Sequence, residues 1–562
     1  MKKSKFSLLL VLSLVLSMFL AACSGGQKEE DTGTGTDKGT DAAGELADKQ
    51  EITVLESAEI PSLDPSLVED AVGITILNNI NEGLYRIDQN QEPVPALADG
   101  EPEVSEDGLV YKIKLRDAQW SNGDKITAQD FVYSWQRAIN PETGSSYGPY
   151  MMMGKIKNAT EIYEGKAELS DLGIKALSDN ELEITLVKPK TYFKSLMAFP
   201  TFFPLNQKFV EEKGDKFASS SENLLYTGPF SLADWTGTED VEWTLLKNDT
   251  YWDKDTVTLT KINYNVLKDA VAAANAIDAG EADISTKLSL PEVISLYEGD
   301  PRLVRWLEPT IFWLKFNQET EALKNVNIRK ALSMAFDKDA LVNDVLQNGS
   351  LAANYAVPTE FVKHPDTDED FRAKYGDFNK FNPEEAKKFW ETGLKEIGKD
   401  SLEFTYVSGD SESAKKIDAF MKNQLETNLP GLKVNIKSVP FATRLELEDK
   451  QEYDLLHSGW GPDYHDAISF SNLWLTGGGN NKMSYSNKEY DALIEAAEGD
   501  LANDPGKRFE AFQDAEKILF EDAAIAPIFQ RAANKLVNEK VEGFTYHLNG
   551  PDYSFKWTKL QK

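Results

Sequence analysis

Residues 96–141 read ALADGEPEVSEDGLVYKIKLRDAQWSNGDKITAQDFVYSWQRAINP and combine a strand, a turn and a helix in that order. Apolar and basic residues alternate through LVYKIKLR, residues 109–116, which predicts a half-buried strand. The turn WSNGD, residues 120–124, comes next. Thr127 then opens a helix whose apolar residues recur at helical spacing: Phe131, Val132, Trp135 and Ala138. The stretch predicts a mixed α/β fold.

The same two patterns recur later in the chain. Three apolar residues alternate with polar ones in a second predicted strand: Leu182, Ile184 and Leu186. Helical spacing between residues 325 and 349 predicts a helix capped by Asn325 and ended by Gly349. The pattern SNKE, residues 486–489, is typical of a capping box before another helix. We expect most of the eleven tryptophans to pack in the core.

The first 22 residues have the pattern of a secretory signal. Lys2, Lys3 and Lys5 precede the apolar run FSLLLVLSLVLSMFL. This run is about 15 residues long, whereas a membrane-spanning helix needs about 20, so a signal over residues 1–22 is favoured over a membrane anchor. Residues 23–50 contain no aromatic and almost no apolar side chains, which predicts a disordered tether with a reach of roughly 30 Å.

Cys23 is the only cysteine in the chain, so an internal disulfide is excluded. Its position directly after Leu20-Ala21-Ala22 resembles the lipobox of bacterial lipoproteins. That resemblance implies cleavage before Cys23 and lipid attachment to its thiol and new amino terminus, for example by palmitate. Two or more acyl chains hold a protein on a membrane far better than one. An unmodified thiol is the alternative.

The remaining body, residues 51–562, is too long for one hydrophobic core and predicts two or three domains. The formal net charge of −33 argues against nucleic acid as a partner. Beyond the signal, no apolar run is long enough to cross a membrane, so the chain is not expected to be a channel.

The chain lacks sequence motifs for catalysis or cofactor binding. It has no G-x-S-x-G elbow, phosphate-binding loop, dinucleotide fingerprint or H-E-x-x-H helix. Residues 366–370 resemble the start of a calcium loop, but Phe371 stands where that loop needs glycine. Carboxylate pairs for glycoside hydrolysis carry no information without geometry, because the chain has 93 acidic residues. We expect no enzyme activity, no cofactor and no metal, with any ATPase on another chain.

The segment HSGWGPDYHD, residues 457–466, concentrates polar and aromatic side chains and holds two of the four histidines. Its residues alone leave three interpretations open: a catalytic cluster, a metal site, or a carboxylate for a positively charged ligand. His457 and His465 lie on either side of a Gly-Pro break, which is not a recognisable metal-ligand spacing.

Several segments together resemble the oligopeptide-binding lipoproteins of ABC importers, within the peptide- and nickel-binding family of solute receptors (solute-binding protein family 5). Residues 96–141 look like the signature of that family. Further matching segments follow in the order of the family: SLDP (62–65), NEGLY (81–85), TGPFSL (227–232), LLKNDTYWDKD (245–255), AGEADI (279–284), NVNIRKALSMAFDKDALV (325–342) and AIAPIF (524–529).

The resemblance implies an α/β fold of the periplasmic-binding-protein type (type II, cluster C), with three domains and two lobes that close on a ligand in the cleft between them. Domain I, the first lobe, is expected at residues 51–82, 206–312 and 532–562. An extra domain II is expected at 83–205, and domain III, the second lobe, at 313–531.

The resemblance also implies the ligand site. In peptide-binding members a G-W-x-x-D-Y segment lies in the cleft, and its Asp, here Asp463, accepts the α-ammonium of the ligand. Trp460 belongs to the same segment. The backbone around Gly459 and Gly461 is expected to pair with the ligand as an added strand, and glycine would let the ligand main chain approach closely.

Other site residues follow from the same resemblance. Glu69 and Ala71 match the strand after SLDP that contacts the ligand main chain. Tyr147 matches a ligand-contacting tyrosine, and Phe441 stands where better-studied members have tryptophan.

Two positions depart from the family pattern. Basic residues that meet the C-terminal carboxylate of the ligand in some members are replaced by Glu448 and His457, so ligand-length selectivity is not carried over. His457 is favoured as a strand residue beside the cleft. The alternative for Asp463 is an Asx-turn residue after Pro462, and His465 and Asp466 are interpreted as loop residues.

The function implied is a monomeric receptor, lipid-anchored on the outer face of a Gram-positive cell membrane. It would capture oligopeptides and deliver them to a permease and ATPase on other chains. The alternatives are a member that binds nickel or a metal complex, a receptor for a peptide pheromone, a surface chaperone, and a secreted hydrolase.

Overall fold

The computed structural model describes residues 45–562, and Cys23, the predicted signal and most of the predicted tether lie outside them. The strands are β1 Glu51–Glu56, β2 Tyr85–Ile87, β3 Pro93–Pro95, β4 Glu103–Val104, β5 Val110–Lys114, β6 Ile174–Ser178, β7 Glu181–Thr185, β8 Phe230–Ala233, β9 Glu242–Lys247, β10 Lys261–Val266, β11 Leu303–Phe316, β12 Leu351–Ala352, β13 Leu402–Gly409, β14 Leu432–Val439, β15 Leu455–Trp460, β16 Ile525–Leu536, β17 Val541–Glu542, β18 Thr545–Tyr546, β19 Tyr553–Ser554 and β20 Lys559–Leu560.

The α-helices are α1 Ala71–Ile80, α2 Ala128–Ile139, α3 Tyr147–Met152, α4 Ala159–Tyr163, α5 Phe193–Leu196, α6 Gln207–Lys213, α7 Ala270–Asp278, α8 Pro291–Ile294, α9 Val326–Met334, α10 Lys338–Ala340, α11 Pro383–Ile397, α12 Glu412–Asn428, α13 Phe441–Asp449, α14 Ile468–Ser471, α15 Lys488–Ala497 and α16 Pro505–Glu521. None of the helices in residues 45–562 is both long and apolar enough to cross a bilayer.

Three larger sheets organise the body. A four-stranded sheet has the order β1-β10-β9-β8, in which β1 and β10 are parallel. A second four-stranded sheet, of order β4-β5-β7-β6, is antiparallel. The largest sheet has six strands in the order β12-β16-β11-β15-β13-β14 and mixes parallel and antiparallel pairs. The mixture of sheets and helices agrees with the α/β class predicted from the sequence.

Strands β11 and β16 connect two hydrophobic cores. At one end Leu303 pairs with Leu536, which is buried with Leu55 and α7. At the other end Leu314 and Phe316 are buried with α9, α11 and α12. A pair of strands that runs from one core into the other fits the two-lobed fold that the family resemblance implies. The domain boundaries themselves stay a prediction.

Local sequence patterns predicted the positions of several helices and strands correctly or to within one residue. Strand β5 and helix α2 lie within the predicted segments, and Thr127 and Asp130 form a reciprocal capping box at the start of α2. Helix α15 begins one residue later than the SNKE pattern suggests, because Asn487 caps the amides of Glu489 and Tyr490.

The helix predicted between residues 325 and 349 is interrupted. Asn325 caps α9 as expected, but α9 ends at Met334. Asp337 then accepts a hydrogen bond from the amide of Ala340 and starts α10, which a π-helical turn continues over Leu341–Leu346. A second capping residue inside the apolar pattern therefore divides one predicted helix into separate pieces.

The folded body begins at Leu46 and includes the last residues of the predicted tether. Leu46 forms a bridge with Gln561, and the amide of Ala47 donates to the carbonyl of Leu560. The buried Gln50 side chain donates to that same carbonyl at 2.8 Å. Residues 46–50 pack because partners from the far end of the chain satisfy their polar groups, which local composition cannot show.

Candidate ligand-binding site

Asp463 follows strand β15 and accepts hydrogen bonds from two tyrosines. The hydroxyl of Tyr150 donates to its carboxylate at 2.8 Å, and the hydroxyl of Tyr147 does so at 3.5 Å. Both tyrosines belong to α3, where a spacing of three residues places them on one face. The short helix thus presents two phenolic donors to one carboxylate.

The surroundings of Asp463 weaken its acidity. Burial raises the pKa of Asp463 to about 6, although the two tyrosine hydroxyls and the nearby positive charge of Lys155 oppose that increase. Lys155 donates to the carbonyl of Tyr150 at 2.9 Å. Burial and the charge of Lys190 lower the pKa of Lys155 to about 8. The carboxylate is therefore poorly solvated and has no ion pair with a Lys or Arg side chain of residues 45–562.

The start of α3 also contacts the segment after SLDP. The hydroxyl of Ser146 donates to the carboxylate of Glu69, which is exposed. Ala71 is the exposed first residue of α1. Tyr147 stacks on Phe199 with ring centroids 5.1 Å apart. The structure thus brings together three of the predicted site residues: Glu69, Tyr147 and Asp463.

Strand β15 leaves part of one edge unpaired. All six of its residues pair with β11, whereas β13 pairs only with Leu455 and Leu456. On that second edge, none of the described strands pairs with residues 457–460. An unpaired strand edge of this kind can accept an extended peptide.

The two glycines of the segment face strand β11. A Cβ added at Gly459 would lie 2.8 Å from the Phe312 ring, and one at Gly461 would lie 3.0 Å from the hydroxyl of Thr310. The sequence predicted that a ligand main chain approaches closely at these glycines. The structure gives Gly459 a different reason, since the Phe312 ring occupies the position that a side chain would take.

The remaining predicted residues have varied positions. Trp460 is half-buried opposite Ile311, and its indole N–H is buried without a hydrogen-bond partner in the described part of the chain. Phe441 is the first residue of α13. Their roles, like those of the other predicted site residues, stay predictions.

Glu448 and His457 are both buried. Glu448 forms ion pairs with Lys315 at 2.6 Å and Arg444 at 2.8 Å, and these cations keep its pKa below the usual value against the effect of burial. His457 lies in β15 with its Nδ1 3.5 Å from the Asp418 carboxylate. His457 is therefore a strand residue in a polar cluster.

The residues after Asp463 are held by a network of ion pairs. Arg508 donates to Asp466 at 2.8 and 2.9 Å and to Glu498 at 3.0 Å. Lys190 also pairs with Glu498. Tyr464 stacks on Tyr192 with centroids 4.7 Å apart. Asp466 thus has a structural role, and the network ties this loop to residues 190–192.

Comparison with known proteins identifies the family. The sequence profile of bacterial extracellular solute-binding proteins, family 5 (middle), matches residues 92–482. The chain belongs to this family. Its relatives are named as binding proteins, and the predicted mixed α/β, multi-domain fold is confirmed by solved members.

Three relatives show the extent of the similarity. A dipeptide-binding protein of Lactococcus lactis subsp. cremoris is 35% identical over 514 residues, which cover 89% of this chain and 92% of that protein. Listeria monocytogenes OppA bound to peptide has a TM-score of 0.79 and 42% identity, covering 92% of this chain and 100% of that one. The pheromone receptor PrgZ has a TM-score of 0.79 and 35% identity over the same shares.

Three residues around Asp463 in this family 5 protein were not predicted from the sequence: Tyr150, Lys155 and Arg508. Tyr150 could have been found, because its spacing from Tyr147 on a short helix predicts a shared face. Lys155 and Arg508 gave no local signal, since the Asp463 and Asp466 carboxylates that they face belong to other segments of the chain. Within residues 45–562 no group of three or more His, Cys, Asp or Glu side chains is arranged to hold a metal ion.

Proposed function

We propose that this family 5 protein is an oligopeptide receptor in which Asp463 binds the α-ammonium group of the ligand. The observation that carries the proposal is a half-buried carboxylate oriented by Tyr150 and Tyr147 without an ion pair to Lys or Arg among residues 45–562. An ammonium group would supply the missing positive charge. Every unmodified linear peptide has that group, whatever its side chains.

The ligand main chain is proposed to pair with the free edge of β15 at residues 457–460. Backbone pairing is independent of ligand sequence, so it would complement recognition of the amino terminus. The names of the relatives support this proposal, since the Lactococcus lactis protein is named for dipeptide binding and the Listeria monocytogenes structure holds a peptide.

We further propose that the receptor is a monomer anchored by lipid at Cys23 on the outer face of the cell membrane and delivers peptides to an ABC permease. The support for anchoring is the sequence Leu20-Ala21-Ala22-Cys23 after a basic and apolar start. Without a phosphate-binding loop in this chain, the ATPase of such an importer would be a separate subunit.

Calorimetry with a mixed-sequence pentapeptide and its N-acetylated twin tests the proposed ammonium site. On the wild type, acetylation should cost about 3–5 kcal/mol, the penalty of leaving one partner of a buried charge pair alone. Asp463→Ala should bind the free peptide equally weakly and should no longer distinguish the twins. Asp249→Ala removes an exposed carboxylate in the turn after β9 and serves as the control. Equal binding of both twins by the wild type would refute the assignment of Asp463.

A receptor for one peptide pheromone is the second candidate, because PrgZ matches this chain with the same TM-score and coverage as OppA, at 35% against 42% identity. Competition by scrambled peptides separates the two functions. A general receptor should bind a peptide and its scrambled versions with similar affinity, whereas a pheromone receptor should prefer one sequence by orders of magnitude.

A further inference from the structure

Arg531 differs from every other residue of strand β16. Of the twelve residues in that strand it alone is not buried, and 43% of its side chain is exposed. Its Nε donates to the buried carboxylate of Glu308. Within residues 45–562 its two terminal nitrogens have no hydrogen-bond partner. A guanidinium held at one nitrogen and free at the other two can bind a carboxylate through two parallel hydrogen bonds.

A break in strand pairing positions Arg531 beside the proposed peptide site. Leu307 pairs with Ala532 and Ile311 pairs with Gln530, so residues 308–310 bulge out opposite Arg531. Thr310, in this bulge, is the neighbour of Gly461. The bulge therefore lies between the Asp463 segment on one side and Arg531 on the other.

The guanidinium of Arg531 is directed back across β11. Its central carbon lies 5.8 Å from the centre of the Phe312 ring, and Phe312 in turn packs against Gly459. Two strand spacings, about 10 Å, separate the backbones of β15 and β16. An arginine side chain that reaches over Phe312 covers part of that distance toward the free edge of β15.

The neighbouring charges leave Arg531 as the available cation. Lys287 pairs with both Glu308 at 2.9 Å and Asp552 at 3.0 Å. Glu308 is shared between Lys287 and Arg531. Lys287 thus has two carboxylate partners, while Arg531 has one and keeps its terminal nitrogens exposed.

We propose that Arg531 is a specificity-determining residue that binds a carboxylate of the ligand. The inference rests on the proposed function, because it takes a peptide as the ligand. The carboxylate is either the C-terminus of a short peptide or an acidic side chain of a longer one. Glu448 and His457, which replace basic residues of some relatives, are buried in other contacts, so the anion-binding role falls to a different strand.

Calorimetry with pentapeptides that all have a free amino terminus tests the proposal. Ala-Ala-Gln-Ala-Ala is compared as free acid and C-terminal amide, which isolates the terminal carboxylate. A second series consists of C-terminal amides in which each position in turn holds either Glu or Gln, and this comparison isolates a side-chain carboxylate. The variants are Arg531→Gln, Arg531→Lys and, as the matched control, Arg305→Gln, since Arg305 lies on β11 and pairs with Glu298.

The wild type should bind either the free acid more tightly than the amide or a Glu peptide more tightly than its Gln counterpart. The expected difference in affinity is roughly tenfold to a hundredfold, the strength of a charge-assisted hydrogen bond. Arg531→Gln should lose that preference, Arg531→Lys should keep part of it, and Arg305→Gln should keep all of it. Each preference is a ratio measured on one protein sample, so partial misfolding of a variant does not affect it.

Two results would overturn the role of Arg531. In one, the wild type shows no preference for either carboxylate; in the other, Arg531→Gln retains the preference of the wild type. If no pentapeptide binds the wild type at all, the proposed peptide-receptor function fails as well, and the uniform absence of binding heat distinguishes that case.

Discussion

The hydroxyl of Tyr150 donates a 2.8 Å hydrogen bond to the carboxylate of Asp463, and the two residues are 313 positions apart in the chain. The bond joins helix α3 to the loop after β15. Tyr150 favours the ionised form of Asp463, which burial disfavours. This tyrosine therefore maintains the charge that the proposed ligand ammonium needs.

Replacing Tyr150 with phenylalanine should raise the pKa of Asp463 above 6 and weaken peptide binding by roughly tenfold to a hundredfold, since a hydrogen bond to a charged group contributes about 1.5–3 kcal/mol. Tyr147→Phe should have a smaller effect, because the Tyr147 contact is longer, at 3.5 Å. Calorimetry on both variants at pH 7 checks the order. A larger loss in Tyr147→Phe would contradict it.

Peptide affinity should depend on pH with a maximum between about pH 6 and pH 8. Below its pKa of about 6, Asp463 becomes protonated and affinity should fall up to tenfold per pH unit. Above pH 8 the peptide α-ammonium, with an ordinary pKa near 8, loses its proton. Titrations of the wild type across pH 4.5–9 measure the profile. The N-acetylated twin provides the control and should show neither limb.

Asp463→Asn should stabilise the empty protein at neutral pH. Because the pKa of Asp463 in the folded state lies above its ordinary value of 3.8, ionisation of this carboxyl opposes folding. The stabilisation should be small near pH 4, should grow between about pH 4 and pH 6, where only the unfolded chain ionises this carboxyl, and should level off above pH 6 at no more than ~3 kcal/mol. Urea unfolding at pH 4 and pH 7 measures it. An equal gain at pH 4 and pH 7 would show a cause other than charge.

Gly459→Ala should destabilise the protein by about 1–3 kcal/mol, because the added methyl group meets the Phe312 ring at 2.8 Å. Gly461→Ala should cost less, since its neighbour is the hydroxyl of Thr310 at 3.0 Å and Gly461 itself is exposed. Urea denaturation compares the variants. In a double-mutant cycle Phe312→Leu should relieve part of the Gly459→Ala cost, and strict additivity would argue against the contact.

Local patterns in the sequence predicted the elements that local physics determines. Alternation of apolar and basic residues located β5, and the Thr127–Asp130 pair located the start of α2, because both signals act within a few residues. The helix after Asn325 was extended too far, since the capping role of Asp337 competes with the apolar period. The family resemblance, rather than periodicity, indicated Asp463 as a site residue.

Contacts between distant residues could not be predicted in the same way. The pair of donors on Asp463, the Phe312 ring beside Gly459 and the exposed position of Arg531 all depend on which strands and helices meet. Gly459 illustrates the limit: its lack of a side chain predicted a close approach of the ligand main chain, which stays a prediction, and gave no sign of the Phe312 ring beside it. Predicting such contacts needs the tertiary fold.

The pairing of Gln50 with Leu560 has a consequence for synthesis. β1 finds its parallel partner β10 some 210 residues later, and Gln50 bonds to a carbonyl 510 residues away. A growing chain therefore leaves the ribosome with β1 unpaired until β10 has been made, and with Gln50 lacking its Leu560 partner until residue 560 has been made. Contacts this distant in sequence slow folding, because loop closure must precede them. That delay suits a chain proposed for export, since a translocation channel accepts polypeptides that have not yet folded.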